Sequence, residues 1–496
     1  MMAEEDINSW LIISEYRPMK IIGRGSYGIV IEAEKISTGK RVAIKRFIRI
    51  FLNVQEAKQI VREIKSLINL KHPSIIKIYD IIFVRNPVPD LYIVMPLFPF
   101  DLLNLFESNL VLPESHIKKI FHRLLSGIGY MHSAGIIHRD LKLSNVLINH
   151  ECEISICDFD MSKQVYPSKI ECLNHLSNSK NSSVEYCIRK NEHKNGMPSD
   201  IHHYLHKPDT IYANEGQNIN KKNKINQSLN KLRLLINQNG NGPILNNIIA
   251  KNEKKELANS MKEKGKLNNS QINKLLNESK NERLNLPKIL TQHVTSRYYR
   301  PPEVILLEKY YDYSLDIWSA GCIFADLLLM KVPAIKERLP IFYGKYCFPL
   351  SPASSPLVSP QEALHLDQMT KILSVIGFPD KESLSFVSDP KAHEYLARFH
   401  NLTKVDFKMI MPWISDLESD LLEKMLAFNP FHRPSASECL NNPYFFETVD
   451  CLPFFPADSK VLLGNNVDQE EDIENLKSVL MKAVDEFKAK YQLNYL

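Results

Sequence analysis

The sequence predicts an α+β protein of two lobes, with a small β-rich N-lobe that contains one main helix and a larger helical C-lobe. Two observations support this fold class. Short β-rich runs, separated by glycines and by a turn at residues 37–40, fill residues 16–95. From residue 101 to 446 the apolar residues instead recur with helical spacing, as at 114–133 and 316–330. Strands followed by helices are typical of α+β folds.

The N-terminal lobe contains three predicted strands and one predicted helix. The strands are the runs at residues 29–33, 42–47 and 91–95. The helix covers residues 54–70, where apolar side chains fall on one face: Ala57, Ile60, Val61, Ile64, Leu67 and Ile68. We therefore expect a sheet accompanied by a single amphipathic helix.

The chain has 496 residues, of which 44% are hydrophobic and 24% charged, so global disorder is excluded. The net charge of +5 is too small to indicate a nucleic-acid-binding protein. The eight cysteines form no CxxC pair, which favours a reducing compartment and argues against a structural zinc site. No signal-peptide pattern is present, and the most apolar stretch, residues 317–332, is too short to span a bilayer. We expect a soluble protein of the cytoplasm, the nucleus or both, without a membrane partner.

One segment differs in composition from the rest of the chain. Residues 171–290 contain 24 Asn and 17 Lys, with 20 basic against 11 acidic residues. Because the region has no sustained amphipathic period, residues 163–290 are predicted to be a disordered insert. The sequence also has an N-terminal extension, 1–15, and a C-terminal extension, 447–496, in which residues 470–489 predict an amphipathic helix.

A glycine-rich turn joins two β-rich runs near the N-terminus. Because they lack side chains, Gly23, Gly25 and Gly28 let backbone amides approach phosphate groups closely. Such turns are common, but here the next predicted strand carries Lys45, which can meet the phosphates. Glu63 on the predicted helix is the natural partner of this lysine, because either charge buried alone would be costly.

Acidic and amide side chains cluster in residues 138–145 and 158–160. Asp140 can orient an attacking hydroxyl and accept its proton. Asn145 and Asp158 can hold Mg²⁺, because this ion takes few protein oxygens together with phosphate and water oxygens. The residues themselves therefore indicate a site for phosphate chemistry.

The whole set of motifs resembles eukaryotic protein kinases, and three later features complete it: Pro301-Pro302-Glu303, residues 316–321 and Arg433. The resemblance covers about residues 15–446, the insert excepted. It implies the bilobal protein kinase fold, with ATP and Mg²⁺ as cofactors. The implied kinase domain, 16–446, divides into an N-lobe at 16–95, a hinge at 96–99 and a C-lobe at 100–446.

The resemblance also implies a role for each motif residue. Lys45 would bind the nucleotide phosphates and pair with Glu63, and Asp140 would be the catalytic base. Lys142 would support the γ-phosphate, which is a Ser/Thr-kinase feature, and Asn145 and Asp158 would hold Mg²⁺. Glu303 would pair with Arg433 in the helical lobe. In the hinge, the Pro96 carbonyl and the Phe98 amide would receive adenine, behind Met95. The other implied positions of the nucleotide pocket are Ile22, Gly23, Gly25, Gly28, Val30, Ala43, Lys45, Asp101, Leu147 and Cys157.

Among protein kinases, the sequence resembles mitogen-activated protein kinases, in an atypical protist variety with Thr-x-His in the activation lip. Residues 291–303 resemble the lip and substrate loop, and residues 344–378 resemble the extra insert of that family. The resemblance implies a monomer that phosphorylates Ser or Thr before Pro in protein substrates and has an upstream kinase. A cyclin-dependent kinase is the alternative enzyme, since it shares the proline-directed loop and a single lip threonine.

The lip reads Thr291-Gln292-His293 where mitogen-activated protein kinases have Thr-x-Tyr. By this analogy Thr291 is the sole lip phosphosite, modified by another kinase or by the enzyme itself. A phosphate there could pair with Arg62, Arg139 and Lys163 and order the lip. An unmodified threonine in a substrate loop is the alternative.

Asp160 replaces the glycine that kinases carry after Asp158-Phe159. Because Asp tolerates unusual backbone angles better than most residues, we expect an active enzyme with altered switching. The alternative is a pseudokinase scaffold, although a scaffold needs none of the acidic residues retained here. Interleaved aromatic residues are almost absent from the basic insert, so no nucleic-acid partner is expected.

Overall fold

The structure, a computed structural model, describes residues 15–25, 28–48, 50–84, 90–165, 296–308, 312–333, 338–350, 365–446, 454–461, 467 and 470–492. These residues belong to one compact unit of the chain. Thr291 and residues 166–290 of the predicted insert lie outside the described residues.

A five-stranded antiparallel sheet forms the N-terminal lobe. Its strands are β1 (Tyr16–Gly25), β2 (Gly28–Lys35), β3 (Arg41–Ile48), β4 (Asp80–Val84) and β5 (Asp90–Pro96). They lie in the order β1-β2-β3-β5-β4, and the register places Ala43 beside Met95 and Lys45 beside Ile93. The buried face is rich in β-branched and aromatic side chains, which suit a pleated, half-buried surface: Tyr16, Ile29, Ile31, Val42, Ile44, Tyr92 and Val94.

Helix α1 (Val54–Asn69) accompanies this sheet, as predicted. It begins after Asn53, whose side-chain oxygen accepts a hydrogen bond from the Glu56 backbone N–H. The predicted apolar face is buried except for half-buried Ile68. Four polar side chains of α1 are also buried, and three of them contact the site described below: Arg62, Glu63 and Ser66.

Helices dominate the C-terminal lobe, as predicted. They are α2 (Leu102–Glu107), α3 (Glu114–Ser133), α4 (Pro302–Ile305), α5 (Ser314–Leu329), α6 (Gln368–Ile376), α7 (Pro390–Ala397), α8 (Phe407–Ile410), α9 (Asp416–Met425) and α10 (Ala436–Leu440). Helix α5 is buried on nearly all sides, and its Phe324 stacks on Phe121 of α3 with ring centroids 4.2 Å apart. None of the helices in the described ranges is both long and apolar enough to cross a membrane.

Two small antiparallel sheets hold the loops of the candidate site. One contains β6 (Phe100–Asp101), β8 (Val146–Ile148) and β9 (Ile154–Ile156), and the other contains β7 (Ile136–Ile137) and β10 (Lys163–Gln164). The loop with residues 138–145 follows β7, and the loop with residues 158–160 precedes β10. Pairing of these two strands therefore brings the loops together. Strand β10 also corrects the predicted insert, because residues 163–165 belong to the folded lobe.

The C-terminal extension contacts both lobes. In its first part, Ala457 and Val461 donate backbone hydrogen bonds to Ser133 Oγ and the Ala134 carbonyl, each at 2.8 Å. Helix α11 (Ile473–Gln492) then packs against α1, with Leu476, Leu480 and Val484 buried. The predicted amphipathic helix is therefore present, and its apolar face docks on the surface of its own chain.

Candidate active site

Lys45 and Glu63 form a buried ion pair between β3 and α1. The Lys45 ammonium lies 2.7 and 2.9 Å from the two Glu63 carboxylate oxygens and 3.3 Å from Asp158 Oδ1. Burial would lower the pKa of Lys45, but the charges of Glu63 and Asp158 outweigh burial and raise it. The lysine therefore stays protonated, in contact with both carboxylates that the sequence predicts around it.

Asp316 of α5 holds the loop between β7 and β8 in place through hydrogen bonds to its backbone. This carboxylate is fully buried and accepts hydrogen bonds from the backbone N–H groups of His138 (2.8 Å) and Arg139 (2.9 Å). Arg139 has a positive φ of 69°, which is unfavourable for a non-glycine residue. The pKa of Asp316 lies below its usual value because the His132 hydrogen bond, together with the other donors, outweighs burial. An ionised aspartate thus holds the loop in its strained conformation.

Hydrogen bonds orient both carboxylate oxygens of Asp140. Oδ1 accepts from the backbone N–H of Ser296 at 2.9 Å and from its hydroxyl at 3.2 Å. Oδ2 accepts from the Lys142 ammonium at 2.5 Å, and Asn145 Nδ2 donates to the Asp140 carbonyl at 2.9 Å. Lys142 and Asn145, the other two polar residues predicted in this loop, therefore both contact Asp140.

Ser296 is a site residue that the sequence did not single out. It lies 156 positions from Asp140, and the resemblance of residues 291–303 to a substrate loop did not say which hydroxyl would face the carboxylate. Its place immediately before Arg297 in that loop is the only signal that could have indicated it.

Asp158 and Asn145 offer oxygens to a cation. Asp158 follows β9 with a positive φ of 68°, and its carboxylate is 37% exposed. Asn145 turns its amide nitrogen to Asp140, so the amide oxygen is the atom that can bind a metal. Within the described ranges no three His, Cys, Asp or Glu side chains form a metal-binding group. One carboxylate and one amide nevertheless fit Mg²⁺, which draws most of its ligands from phosphate and water.

The predicted nucleotide pocket is divided between the two lobes. Ile22, Gly23 and Gly25 lie in β1, Gly28 and Val30 in β2, Ala43 in β3, and Met95 and Pro96 at the end of β5. On the C-lobe side, the predicted pocket residues are Asp101 in β6 and Leu147 in β8, which are directly paired between the two strands. Phe98 lies in the connection between β5 and β6.

Gly28 is required where β2 approaches β3. A Cβ atom there would lie 2.0 Å from the Arg46 carbonyl oxygen. Gly23 has no such restriction, because its nearest neighbour would be Val30 at 3.7 Å. The third glycine of the turn is therefore needed for strand packing, in addition to its predicted role beside the phosphates.

Cys157 lies between β9 and Asp158, in the predicted floor of the pocket. Its backbone N–H and its thiol both point to the Asn145 carbonyl, at 3.0 and 3.5 Å. Burial, with the charge of Asp158 added, raises the pKa of the thiol well above its usual value. The thiol is therefore protonated and weakly nucleophilic at neutral pH.

Two of the three residues predicted to hold a lip phosphate contact the start of the activation segment, and the third lies within that segment. Arg62 donates to the Asp160 carbonyl at 3.4 Å and Arg139 to the Met161 carbonyl at 2.5 Å. Lys163 lies two residues further on, in β10. Their predicted ligand, Thr291, lies outside the described residues, so the proposed phosphate contact stays a prediction.

Ser66 of α1 and Ser162 share a hydrogen bond of 2.8 Å, and both side chains are fully buried. Replacing Ser66 with Ala leaves the Ser162 hydroxyl unpaired, so we expect a loss of about 1–3 kcal/mol in the free energy of unfolding. The double Ala variant should lose less than the sum of the two single variants, because it leaves no unpaired hydroxyl. Urea unfolding measures both effects. Exposed Ser374→Ala is the matched helical control, and additive losses would contradict the prediction.

Asp326 of α5 makes stability dependent on pH. It is fully buried, accepts a hydrogen bond from the Tyr299 hydroxyl at 2.9 Å, and burial raises its pKa to about 8. The folded state thus holds a proton that the unfolded state releases at lower pH. This contribution is fully present below the usual carboxyl pKa and is lost as pH rises through about 8.

We therefore expect the melting temperature to fall between pH 5 and 8, inside the window between the usual carboxyl pKa and about 8, and Asp326→Asn to flatten that part of the profile. The amide resembles the protonated acid in shape and charge. Melting curves across this pH range are the measurement, with exposed Asp380→Asn as control. An unchanged slope in Asp326→Asn would show that the proton is held elsewhere.

Glu303 of α4 and Arg433 form the predicted ion pair in the C-lobe, which is called the brace below. The two guanidinium nitrogens lie 2.7 Å from the two carboxylate oxygens, and both side chains are at most 1% exposed. The guanidinium also lies over the ring of Trp318, 4.9 Å from its centre. This bidentate pair connects the chain after the activation segment to the end of the domain.

The model of the protein kinase domain family matches residues 16–290 and 257–445, most of the chain. The chain belongs to the protein kinase family. Its curated relatives include mitogen-activated protein kinase 2 of Arabidopsis thaliana, 26% identical over 88% of this chain and 79% of the relative. Mitogen-activated protein kinase 5 of Oryza sativa subsp. indica is 27% identical over 91% and 85% of the two chains. The predicted family and fold class are thus confirmed.

Proposed function

We propose that this kinase is an ATP-dependent Ser/Thr kinase of the mitogen-activated type, with Mg²⁺ as its cation and Ser/Thr-Pro sites in proteins as its substrates. The proposal includes activation by phosphorylation on Thr291, by an upstream kinase or by the enzyme itself. It also includes a monomeric state and a cytoplasmic or nuclear location. The observation that carries the proposal is the assembled set of Lys45, Glu63 and Asp158.

The residues of the chain divide the work of phosphate transfer. When bound, ATP supplies the γ-phosphoryl group and Mg²⁺ neutralises phosphate charge. Lys45, kept charged by Glu63, binds phosphate oxygens. Asp140, oriented by Ser296 and Lys142, accepts the proton of the substrate hydroxyl. Positioning and charge neutralisation account for the chemistry.

The finer parts of the proposal rest on sequence resemblance. Curated relatives named as mitogen-activated protein kinases support the interpretation of residues 291–303 as an activation lip and a proline-directed substrate loop. The contacts of Arg62 and Arg139 with the start of the activation segment support a phosphate on Thr291, since charge-assisted bonds to arginine order such segments. A cyclin-dependent kinase is the less favoured enzyme, because these relatives are mitogen-activated kinases.

Peptide assays test substrate choice and activation separately. Wild type is expected to phosphorylate a Ser-Pro peptide at least about tenfold faster than its Ser-Ala counterpart, which corresponds to about 1.4 kcal/mol. Thr291→Ala should lower the rate with the Ser-Pro peptide, whereas exposed Thr403→Ala should not. Equal rates on both peptides would refute proline direction, and full activity of Thr291→Ala would refute single-site activation.

A pseudokinase scaffold is the second candidate, and Asp160 is the observation that favours it. The side chain adds a buried carboxylate beside Asp158, where other kinases have glycine. A scaffold would bind nucleotide without transferring phosphate, before and after phosphorylation of Thr291. The retained Lys45, Glu63 and Asp140 favour the enzyme.

A further inference from the structure

A buried lysine of α1 forms an ion pair with the C-terminal extension. The Lys58 side chain is 2% exposed, and its ammonium lies 2.7 Å from a carboxylate oxygen of Glu471. Glu471 lies 413 positions further along the chain, and its side chain is 75% exposed. Because a buried ammonium without an opposite charge is costly, this distant carboxylate stabilises the position of Lys58.

The start of α11 places Glu471 beside α1. The next residue, Asp472, caps this helix: its carboxylate accepts a hydrogen bond from the Glu474 backbone N–H at 2.9 Å, and its carbonyl accepts from Leu476 at 3.1 Å. The buried apolar side chains of α11 then pack against α1. The contact with Lys58 is therefore made from a docked helix end, which holds a charged group more precisely than a free tail would.

The same side of α1 contacts the start of the activation segment. Lys58, Arg62 and Ser66 follow one another at a spacing of four residues, which places them along one face of the helix. Arg62 donates to the Asp160 carbonyl at 3.4 Å, and Ser66 shares a hydrogen bond of 2.8 Å with Ser162. One end of this face is thus held by the C-terminal extension and the rest by the activation segment.

We propose that Glu471 is a positioning residue for nucleotide binding, which acts through Lys58 to hold α1 where Glu63 reaches Lys45. This inference rests on the proposed function, because it gives the C-terminal extension a role in the nucleotide site of that kinase. Helix α1 is continuous from Val54 to Asn69, so Lys58 and Glu63 move together. The Lys45–Glu63 distances of 2.7 and 2.9 Å leave little room for a rotation of α1 before these bonds break.

Loss of the Glu471 charge should affect the nucleotide and not the peptide substrate. Lys45, less often paired with Glu63, would bind the nucleotide phosphates less well. Asp140 lies on the β7–β8 loop, and its contacts with Ser296 and Lys142 do not involve α1. Glu471→Gln is therefore expected to raise the KM for ATP by at least about threefold and to leave the KM for the peptide within about twofold. A general loss of folded protein would lower the maximal rate without separating the two KM values.

A double-mutant cycle on the full chain tests the inference. Glu471→Gln, Lys58→Met and the double variant are compared by phosphate-transfer kinetics and by nucleotide titration. Because Glu471 acts through Lys58, Glu471→Gln should have no further effect in the Lys58→Met background. Glu474→Gln is the matched control, since it removes the same charge near the same end of α11 from a side chain that is 77% exposed.

Hydrogen exchange of α1 provides a second measurement that does not require activity. Backbone amides of residues 54–69 should exchange faster in Glu471→Gln than in Glu474→Gln at a temperature at which both are folded. If Lys58→Met does not fold, this comparison decides the inference, because the side chain replaced in Glu471→Gln is exposed.

The outcomes separate this inference from the proposed function. A higher KM for ATP and faster exchange in Glu471→Gln, both absent from Glu474→Gln and not increased in the double variant, support the inference. Equal behaviour of Glu471→Gln and Glu474→Gln, or additive losses with Lys58→Met, overturn it and leave the kinase proposal in place. Absence of transfer by wild type refutes the proposed function, while nucleotide titration and hydrogen exchange still decide whether Glu471 positions α1.

Discussion

Asp140→Asn is expected to reduce phosphate transfer by about 10²–10⁴-fold while leaving nucleotide binding within about threefold of wild type. In the proposed mechanism this carboxylate, in the β7–β8 loop, accepts the proton of the substrate hydroxyl, and an amide cannot take that proton. The Lys45–Glu63 pair and Asp158 lie elsewhere in the site and keep their contacts. Radiolabelled phosphate transfer and nucleotide titration measure the two quantities.

Two further variants make this prediction specific. Ser296→Ala keeps the backbone N–H donor to Asp140 and loses only the hydroxyl, so its loss of activity should be smaller than that of Asp140→Asn. Exposed Asp380→Asn should behave as wild type. Retention of more than a tenth of the wild-type rate by Asp140→Asn would contradict the role of this aspartate.

Arg433→Met is expected to destabilise the protein by about 3–5 kcal/mol, because it leaves the Glu303 carboxylate charged, buried and unpaired. Neither side chain reaches solvent, so water cannot replace the lost partner. The double variant Arg433→Met with Glu303→Leu should recover much of the loss, since it removes both charges. Urea unfolding of the full chain, followed by tryptophan fluorescence, provides the comparison.

An exposed ion pair supplies the matched control for this prediction. The Lys404 ammonium lies 2.6 Å from a carboxylate oxygen of Glu423, and the two side chains are 54% and 38% exposed. Lys404→Met should change the free energy of unfolding by less than about 1 kcal/mol. Equal losses in Arg433→Met and Lys404→Met would show that the buried brace contributes no more than a surface pair.

The elements with a clear periodic pattern could be predicted from the sequence. The helix at 54–70 ends one residue earlier in the structure, and the helix at 316–330 begins two residues earlier. The contact between Lys45 and Glu63 was also predictable, because each charge requires a partner once its element is buried. The brace between Glu303 and Arg433 required the family resemblance, since nothing local to either residue indicates the other.

Other features depend on long-range contacts that one sequence does not record. Ser296 meets Asp140 only because the chain returns from the activation segment to the β7–β8 loop. Lys163 was assigned to the insert because two residues are too few to show a strand period, although they pair with β7. The unpaired Oδ1 of Asp160 likewise became visible only once its neighbours were placed.

Phosphate transfer by purified wild type tests the central claim most directly. The protein is incubated with radiolabelled ATP, Mg²⁺ and a Ser-Pro peptide, with and without prior phosphorylation of Thr291, and nucleotide binding is measured in parallel. An active kinase predicts transfer to the peptide that increases when Thr291 carries phosphate. Nucleotide binding without transfer in either state would contradict the account and identify the chain as a scaffold.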